Sequence, residues 1–521
     1  MVQLVIILFY FVLLLSLGLF SNRLFRGTAA DYMLASHTIG PLLLLMSLFG
    51  TTMTAFALVG STGRAYTQGV GVYGLLASAS GIVHSLCFLL IGVPLWRWGR
   101  RYGYSTQIQF FRERLDSNLI GWLLFPILVA LVISYLLLGV VAAGAVVNVL
   151  TTGAFQAVGW FGEYGHGIPP WLAAAMVCLV VLTYVFFGGM RGTAWANAFQ
   201  TTVFMVLGML TFVTIAHAVG GTGNLWHDMR IASQDVPVQQ WTRSSIPKPV
   251  YFSYLLIPLS VGMFPHVFQH WLTARSVNTF RLPIVMHPIL IMIVWVPCVL
   301  LGVWASGPNS GIPAGTSENR VLALLVQTHA GPILGGLLTA GILAAIMSSL
   351  DSQFLCLGTI FTEDIVVHSR RHGHFSEEQI VLMARLFVVA MVLVTYVLSL
   401  FPRAVFDLGI WSFSGFTGLV PLVLAAIYWR RLTLAGAVAS VLAAAGAWLI
   451  LFWRAGWGLN KTYAFPESPI PLVGDWNIPP MLPVVTIVAA ATVVLLSVSL
   501  VTRPPSEATL SRFFTEPRRP T

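Results

Sequence analysis

Apolar segments long enough to cross a lipid bilayer recur from one end of this chain to the other. A helix needs about 20 predominantly apolar residues to span the hydrocarbon core, and thirteen such segments can be recognised. The chain of 521 residues is 57% hydrophobic and only 8% charged, whereas a soluble domain carries roughly 25% charged residues. The pattern therefore predicts an all-α polytopic membrane protein with 13 transmembrane helices, and it excludes a large soluble domain.

The distribution of basic residues gives the predicted orientation, because cytoplasmic loops carry an excess of Lys and Arg. Nineteen of the 27 basic residues fall on one side of the thirteen segments and eight on the other. This bias predicts an N-terminus outside and a C-terminus in the cytoplasm (N-out/C-in). Because the basic residues are scattered through short loops, the net charge of +10 does not indicate nucleic-acid binding. The predicted segments lie near residues 2–21, 39–61, 72–95, 119–149, 170–187, 194–219, 250–271, 281–305, 332–365, 380–401, 404–428, 433–453 and 479–501.

Two of these segments contain residues that interrupt a helix. The second segment carries one Gly and three hydroxyl side chains within Phe49–Thr54. The seventh carries Gly262 and Pro265, and Pro265 removes a backbone donor. Interruptions at membrane depth are tolerated where protein or a cavity satisfies the freed backbone groups. Matched interruptions in two halves of a chain are typical of transporters, although two ordinary kinks would give the same pattern.

The spacing of these interruptions suggests an internal repeat, because they lie five segments apart. Segments two to six and seven to eleven would then be inverted repeats. We predict a peripheral first helix in residues 1–30 and a transport core in residues 31–430. Residues 431–521 would hold two further peripheral helices and a short cytoplasmic tail. The first segment lacks a basic n-region and a small-residue cleavage site, so we interpret it as a retained helix rather than a signal peptide.

The ninth segment carries neighbouring polar side chains in an apolar stretch: Ser348, Ser349, Asp351 and Ser352. Polar groups inside a membrane are costly and often mark a site or a pathway. Ala345, Ser348 and Ser349 follow i, i+3, i+4 spacing and share one helix face. Their carbonyl and hydroxyl oxygens suit a hard monovalent cation. A proton relay needs a titratable group, and the second segment contains none. Hydrogen bonding between helices is the alternative that spacing leaves open.

Four stretches of the chain resemble the sodium:solute symporter family. The sequence AAIMSSLDSQFLCLGTIFTED at Ala344–Asp364 is similar to a signature of that family. So is YVFFGGMRGTAWANAFQTTVFMVLG at Tyr184–Gly208. DYMLASHTIG at Asp31–Gly40 is similar to the entry to the first core helix. FPHVFQHWLTARSV at Phe264–Val277 resembles the branch of pantothenate and monocarboxylate permeases.

The resemblance implies the five-plus-five inverted-repeat fold of the leucine transporter and uptake driven by sodium entry. It also implies a sodium site made of backbone carbonyls from the first core helix, an alanine carbonyl and two hydroxyls. On this sequence those residues are Gly50, Met53, Ala345, Ser348 and Ser349. The chain departs from the family at Asn197, where many members have an aspartate linked in some of them to a second cation. This departure favours a single sodium ion.

The predicted substrate site lies near the midplane, between the two interrupted helices. We expect a small organic solute, with a carboxylate preferred because the N-termini of half-helices attract anions. Arg64 is interpreted as a lone exposed arginine that could attract such an anion. Helix packing is the alternative role for every candidate. The candidate substrate residues are Thr51, Thr54, His84, Gly262, Phe264, His266, Gln269, Trp411 and Ser414.

The sequence therefore predicts a sodium-coupled symporter in the plasma membrane, in this case a bacterial inner membrane. Amino acids, sugars and pantothenate remain alternative substrates. A membrane solute sensor without transport is the alternative function, and a channel is a further one. A membrane enzyme is not expected, because the sequence lacks paired catalytic acids and the usual hydrolase and phosphate-binding motifs. The sequence gives no prediction of oligomeric state.

Overall fold

The computed structural model describes residues 2–22, 28–368, 375–401, 404–457 and 481–514. Regular structure in these ranges is helical, apart from one isolated parallel bridge between Ile39 and Ala274. The predicted all-α class is therefore confirmed. The long helices are α1 (Val2–Asn22), α2 (Pro41–Thr52 and Phe56–Gln68), α3 (Gly71–Tyr102), α4 (Asn118–Leu150), α5 (Pro170–Gly220), α6 (Lys248–Met263 and Pro265–Thr273), α7 (Val277–Ala305), α8 (Pro332–Val367), α9 (Glu377–Ser399), α10 (Val405–Tyr428), α11 (Leu434–Arg454) and α12 (Pro483–Val501). Shorter helices are Ala29–Leu34, Gln107–Leu115, Leu225–Gln234, Val321–His329 and Glu507–Phe514.

The helix lengths are compatible with many membrane crossings. Within the described ranges, nine helices are long and apolar enough to span a bilayer, and two bent pairs raise this number to eleven. A shorter apolar helix covers Val2–Gly18. At 51 residues, the two arms of α5 together contain about 77 Å of helix at a rise of 1.5 Å per residue, more than twice the thickness of the hydrocarbon core. The count of 13 spans and the N-out/C-in orientation stay predictions.

A sharp bend divides α5 where the sequence predicts two separate segments. Gly189 has φ 55° and ψ −156°, a conformation that glycine adopts without the penalty other residues pay. A Cβ atom at this position would lie 2.7 Å from Cδ2 of Tyr32. Residues 170–187 and 194–219 are therefore two arms of one helix that bends at Gly189, and the bend brings the second arm towards α2 and α8.

Both predicted interruptions are present as breaks in helices. The two halves of α2 meet at 55° and those of α6 at 50°. Met53 ends the first half of α2 with φ −87° and ψ 85°. Phe264 is extended (φ −65°, ψ 116°) directly before Pro265, as expected because a proline disfavours the helical conformation of the preceding residue. Each break leaves backbone groups without partners in their own helix.

The helix α8 is the centre of the bundle. Every residue from Leu338 to Ile360 is buried, and α8 packs against α1, α4, α5 and α9. A helix that is apolar and buried all round belongs to a core. α11 and α12 pack against each other and against α10. The division into residues 1–30, 31–430 and 431–521 stays a prediction.

One end of α8 is fixed by a buried ion pair with the short helix Gln107–Leu115. Arg112 Nη1 donates to Asp364 Oδ1 at 2.9 Å, and Nη2 donates to the Asp364 carbonyl at 2.9 Å. Arg114 Nε of the same short helix donates to the Ala426 carbonyl of α10 at 2.9 Å. These contacts hold α8 and α10 at fixed positions relative to this short helix.

Candidate ion and substrate site

The hydroxyl group of Ser348 joins α8 to the break in α2. Its Oγ donates to the Gly50 carbonyl at 2.9 Å and to the Ala345 carbonyl at 3.0 Å, sharing one proton between them. All three residues are buried. The structure thus brings together three of the five predicted sodium ligands. A hydroxyl oxygen and two carbonyl oxygens at one point are neutral, hard donors of the kind a sodium ion accepts.

The close approach of α2 to α5 depends on glycine at position 50. A Cβ atom there would lie 2.4 Å from Thr201 Oγ1 and 3.6 Å from the Ser348 Cβ atom. Thr201 Oγ1 is itself held by a hydrogen bond to the Met46 carbonyl at 3.1 Å. Glycine at this position therefore lets the backbone of α2 approach Thr201 of α5, whereas the distance to Ser348 of α8 is an ordinary van der Waals contact.

The other two predicted sodium ligands lie beside this point. Met53 is the residue at which the first half of α2 ends, and its N–H donates to the Phe49 carbonyl at 2.9 Å. Its own carbonyl therefore follows the last helical turn. The Ser349 hydroxyl donates to the Ile346 carbonyl of its own helix at 3.0 Å. This hydrogen bond lies within α8 and does not reach α2, so the role of Ser349 as a ligand stays a prediction.

A second polar cluster surrounds Asp351, one turn further along α8. The Asp351 carboxylate accepts hydrogen bonds from Tyr184 Oη at 3.2 Å and from Ser352 Oγ at 3.1 Å. With the amide nitrogen facing the acceptors, Asn197 donates to the Ser348 carbonyl at 2.8 Å and to Asp351 at 3.1 Å. The sequence marked Asn197 and Asp351 separately, but their contact needed the packing of α5 against α8.

Aromatic rings surround the break in α6. The His266 ring stacks on Phe264 with centroids 5.2 Å apart and lies 5.5 Å from the Tyr135 ring. The ring centroids of Phe413 in α10 and Tyr135 are 4.9 Å apart. Tyr135 lies beside Thr54 of α2. Phe264, His266 and Thr54 are predicted substrate residues that lie together here, whereas Tyr135 and Phe413 carried no recognisable sequence signal.

Two further substrate candidates, Gln269 and Trp411, have partners within the protein. Gln269 Nε2 donates to the Met33 carbonyl at 2.7 Å and to Thr359 Oγ1 at 2.8 Å. Trp411 packs against Trp448 and Phe452 of α11, with ring centroids 5.9 and 5.1 Å away.

Of the other four candidates, two lie in contacts between helices and two are buried hydroxyl groups. A Cβ atom at Gly262 would lie 2.7 Å from Ile91 Cδ1. His84 Nδ1 is 3.1 Å from His287 Nε2. Thr51 and Ser414 are both fully buried, and their hydroxyl groups have no partner in the described part of the chain.

The interpretation of Arg64 as a lone exposed residue is wrong. Its relative exposure is 7%, and its guanidinium pairs with Asp407 of α10 and with Glu318 at 3.4 Å. It also lies 4.5 Å from the centre of the Phe406 ring. The sequence could not reveal this, because Glu318 and Asp407 are distant in the chain. Arg64 therefore links the second half of α2 to two other elements.

Replacing Arg64 with glutamine should destabilise the protein by about 3–5 kcal/mol, because it removes the cation that pairs with the buried Asp407 carboxylate. Thermal unfolding in detergent would measure the loss. The R64Q/D407N double variant should recover part of it, since the buried Asp407 charge is then removed as well. Exposed Arg230 provides the control, and R230Q should unfold as the wild type does. Equal stability of R64Q and R230Q would contradict the role of the ion pair.

The chain is similar in sequence to known transporters. The sequence model of the sodium:solute symporter family matches residues 32–444. A sodium/proline symporter of Staphylococcus aureus (strain JH9) is 24% identical over 472 residues, covering 87% of this chain and 85% of the relative. The same description and identity apply to the protein of strain NCTC 8325.

Two solved structures resemble the fold. One is a Na+-coupled sialic acid symporter in a substrate-bound, outward-open state, with a TM-score of 0.70 and 18% identity, covering 97% of this chain and 98% of that one. The other is a nucleobase-cation-symport-1 family transporter in a closed conformation with bromovinylhydantoin bound. Its TM-score is 0.56 at 13% identity, covering 92% of this chain and 97% of that one.

Proposed function

Because this chain belongs to the sodium:solute symporter family, we propose that it imports a small organic carboxylate together with sodium. The family establishes a multi-pass transporter of the plasma membrane with sodium as the coupling ion. The observation that carries the proposal for this chain is the contact of the Ser348 hydroxyl with the Gly50 and Ala345 carbonyls. This contact lies at the break of α2, where backbone carbonyl oxygens lack hydrogen-bond partners within their own helix.

The proposed sodium site consists of Gly50, Met53, Ala345, Ser348 and Ser349. A cation bound by oxygens of both α2 and α8 would stabilise the contact between the two helices. Loss of the cation would remove that stabilisation and favour their separation. A ligand shifts a conformational equilibrium only through different affinities for its two states. Sodium would bind more tightly to the state in which α2 and α8 are in contact, because the proposed site exists only in that state.

The preference for a carboxylate rests on chemistry shared by the relatives and on the second break. Proline and sialic acid, named for the similar symporters, are both carboxylic acids. In this chain the second half of α6 begins at Pro265, and a helix N-terminus carries a partial positive charge that stabilises anions. Thr51, Thr54, Phe264 and His266 are the proposed substrate residues at the two breaks, and Ser414 is a further proposed substrate residue in α10.

Three further predictions remain part of this proposal. Gly262, Gln269 and Trp411 stay predicted substrate residues, although they make packing contacts here. Membership of the pantothenate and monocarboxylate branch stays a prediction that rests on Phe264–Val277. Amino acids, sugars and pantothenate are therefore included as test substrates beside simple carboxylates.

Uptake into proteoliposomes would test the proposed function. The purified protein is reconstituted, and accumulation of short monocarboxylates, proline, a sialic acid, a sugar and pantothenate is followed under an inward sodium gradient. A proton gradient without sodium is the control. We expect at least one carboxylate to accumulate above its external concentration only with the sodium gradient. Binding without accumulation would indicate a sensor, and equilibration without accumulation would indicate a channel, so either result would contradict the proposal.

A further inference from the structure

Among the described residues, His266 is the buried histidine without a hydrogen-bond partner. Its side chain is fully buried, and neither Nδ1 nor Nε2 has a partner among the described residues. The other buried histidines each have one: His84 and His287 contact each other, and His270 Nε2 is 3.0 Å from Ser352 Oγ. A buried polar group without a partner costs about 1–3 kcal/mol. The position of His266 therefore points to a ligand rather than to folding.

The surroundings of His266 fix the orientation of its ring. The residue is the second of the half-helix Pro265–Thr273, and its ring is held against Phe264 and Tyr135. The aromatic rings are apolar, so the two imidazole nitrogens of His266 are the polar atoms between these three rings. The imidazole is therefore preorganised, and binding a ligand would cost little side-chain entropy.

Two buried hydroxyl groups share a chemical property with the His266 nitrogens. Like the His266 nitrogens, Thr51 Oγ1 of α2 and Ser414 Oγ of α10 are buried without a partner in the described ranges. None of the three side chains carries a fixed charge. A neutral imidazole has one N–H donor and one nitrogen acceptor, and each hydroxyl can also donate and accept. These side chains therefore offer acceptors as well as donors.

We propose that His266 is a specificity-determining residue that selects carboxylates bearing a hydroxyl or amino group over unsubstituted carboxylates. This inference rests on the proposed function. A carboxylate oxygen can accept from the imidazole N–H or from a hydroxyl, but a carboxylate has no proton to donate. The acceptor nitrogen of His266 would then remain buried and unpaired. A ligand that also carries an O–H or N–H group can donate to this nitrogen. An unsubstituted acid leaves the nitrogen unpaired and therefore binds less tightly.

Pairs of substrates, of which one member carries a donor group and the other does not, would test this inference; only the 2-hydroxypropionate pair keeps the net charge constant. The pairs are 2-hydroxypropionate with propionate, alanine with propionate, and proline with cyclopentanecarboxylate. Sodium-driven uptake gives kcat/KM for each compound in proteoliposomes. For at least one pair we expect the wild type to prefer the donor-bearing acid by about 100-fold or more, as sites built to bind a donor do. In H266F this ratio should fall at least tenfold, whereas H266Q keeps a donor and an acceptor and should retain most of it.

Two controls separate a role in selectivity from a role in folding. H287F removes a buried imidazole that already has a partner, so its selectivity ratio should equal that of the wild type. H266F should unfold at or above the wild-type temperature, because replacing an unpaired buried polar group by an apolar one relieves a penalty. A purely structural histidine would give a less stable H266F with an unchanged ratio, and that result would overturn the inference.

The outcomes distinguish this inference from the proposed function. If no carboxylate accumulates with sodium, the proposed function fails and this inference fails with it. If carboxylates accumulate and the wild type takes up both members of every pair equally well, only the inference fails. If H266F retains the wild-type ratio, the assignment to His266 is wrong while sodium-coupled uptake stands.

Discussion

Replacing Ser348 and Ser349 together with alanine is expected to abolish sodium-dependent uptake while leaving the folded protein in the membrane. The double variant removes two of the five proposed sodium ligands, and the Ser348 hydroxyl is the group that contacts both the Gly50 and Ala345 carbonyls. Alanine is compatible with the interior of α8, because it has the highest helix propensity. Uptake at a series of sodium concentrations would measure the effect, and size-exclusion chromatography in detergent would confirm folding.

The single variants should differ in a way that the structure specifies. S348A loses the contact with α2, so we expect at least about a tenfold increase in the sodium concentration for half-maximal uptake, or about 1.4 kcal/mol of binding free energy. The hydroxyl group of Ser349 bonds its own helix, so S349A should have the smaller effect. S134A removes a hydroxyl that bonds the Ala130 carbonyl of its own helix and serves as the matched control. Unchanged sodium dependence in S348A/S349A would exclude this site.

Replacing Gly50 with valine is expected to eliminate uptake, and G50A should reduce it strongly. The added Cβ atom would lie 2.4 Å from Thr201 Oγ1, so the chain must move α2 away from α5 or displace the threonine. Overpacking of this kind costs about 1–3 kcal/mol. It also shifts the Gly50 carbonyl away from Ser348, so sodium affinity should fall more than the amount of folded protein does. Uptake against sodium concentration, normalised to folded protein, would separate these effects.

A second substitution and a nearby control sharpen this test. T201A removes the oxygen that a Cβ atom at position 50 would meet, so G50A/T201A should recover part of the sodium affinity lost in G50A. Gly40 directly precedes α2, and a Cβ atom there would meet no other atom within 4 Å, so G40A should behave as the wild type does. If G50A binds sodium as well as G40A, the close approach of α2 to α5 is not needed for the site.

Most of the fold could be predicted from the sequence, because the signals are local. Long apolar segments must form helices in a bilayer, where every backbone polar group needs an internal partner. The interruption at Pro265 is equally local, since proline lacks an N–H and restricts the residue before it. The spacing of Ala345 and Ser348 on one helix face follows from helical geometry. These features need no knowledge of which helices are neighbours.

The contacts between helices could not be predicted in the same way. Arg64 was interpreted as exposed because its partners Glu318 and Asp407 are more than 250 residues away in the chain. Trp411 is predicted to contact the substrate, and only the structure shows that its ring packs against α11. In each case the deciding information is the face that a helix turns towards its neighbour.

The sequence by itself determined that the chain is an all-α membrane protein with two broken helices, and it placed carbonyl and hydroxyl oxygens on one helix face, because local hydrophobicity and backbone chemistry dictate these features. The tertiary structure decided that Gly50 contacts Ser348, that Asn197 lies against Asp351, and that His266 is buried without a partner among the described residues. Such pairings depend on how helices far apart in the chain pack together. Packing is set by the shapes of all their side chains at once, and no single segment contains that information.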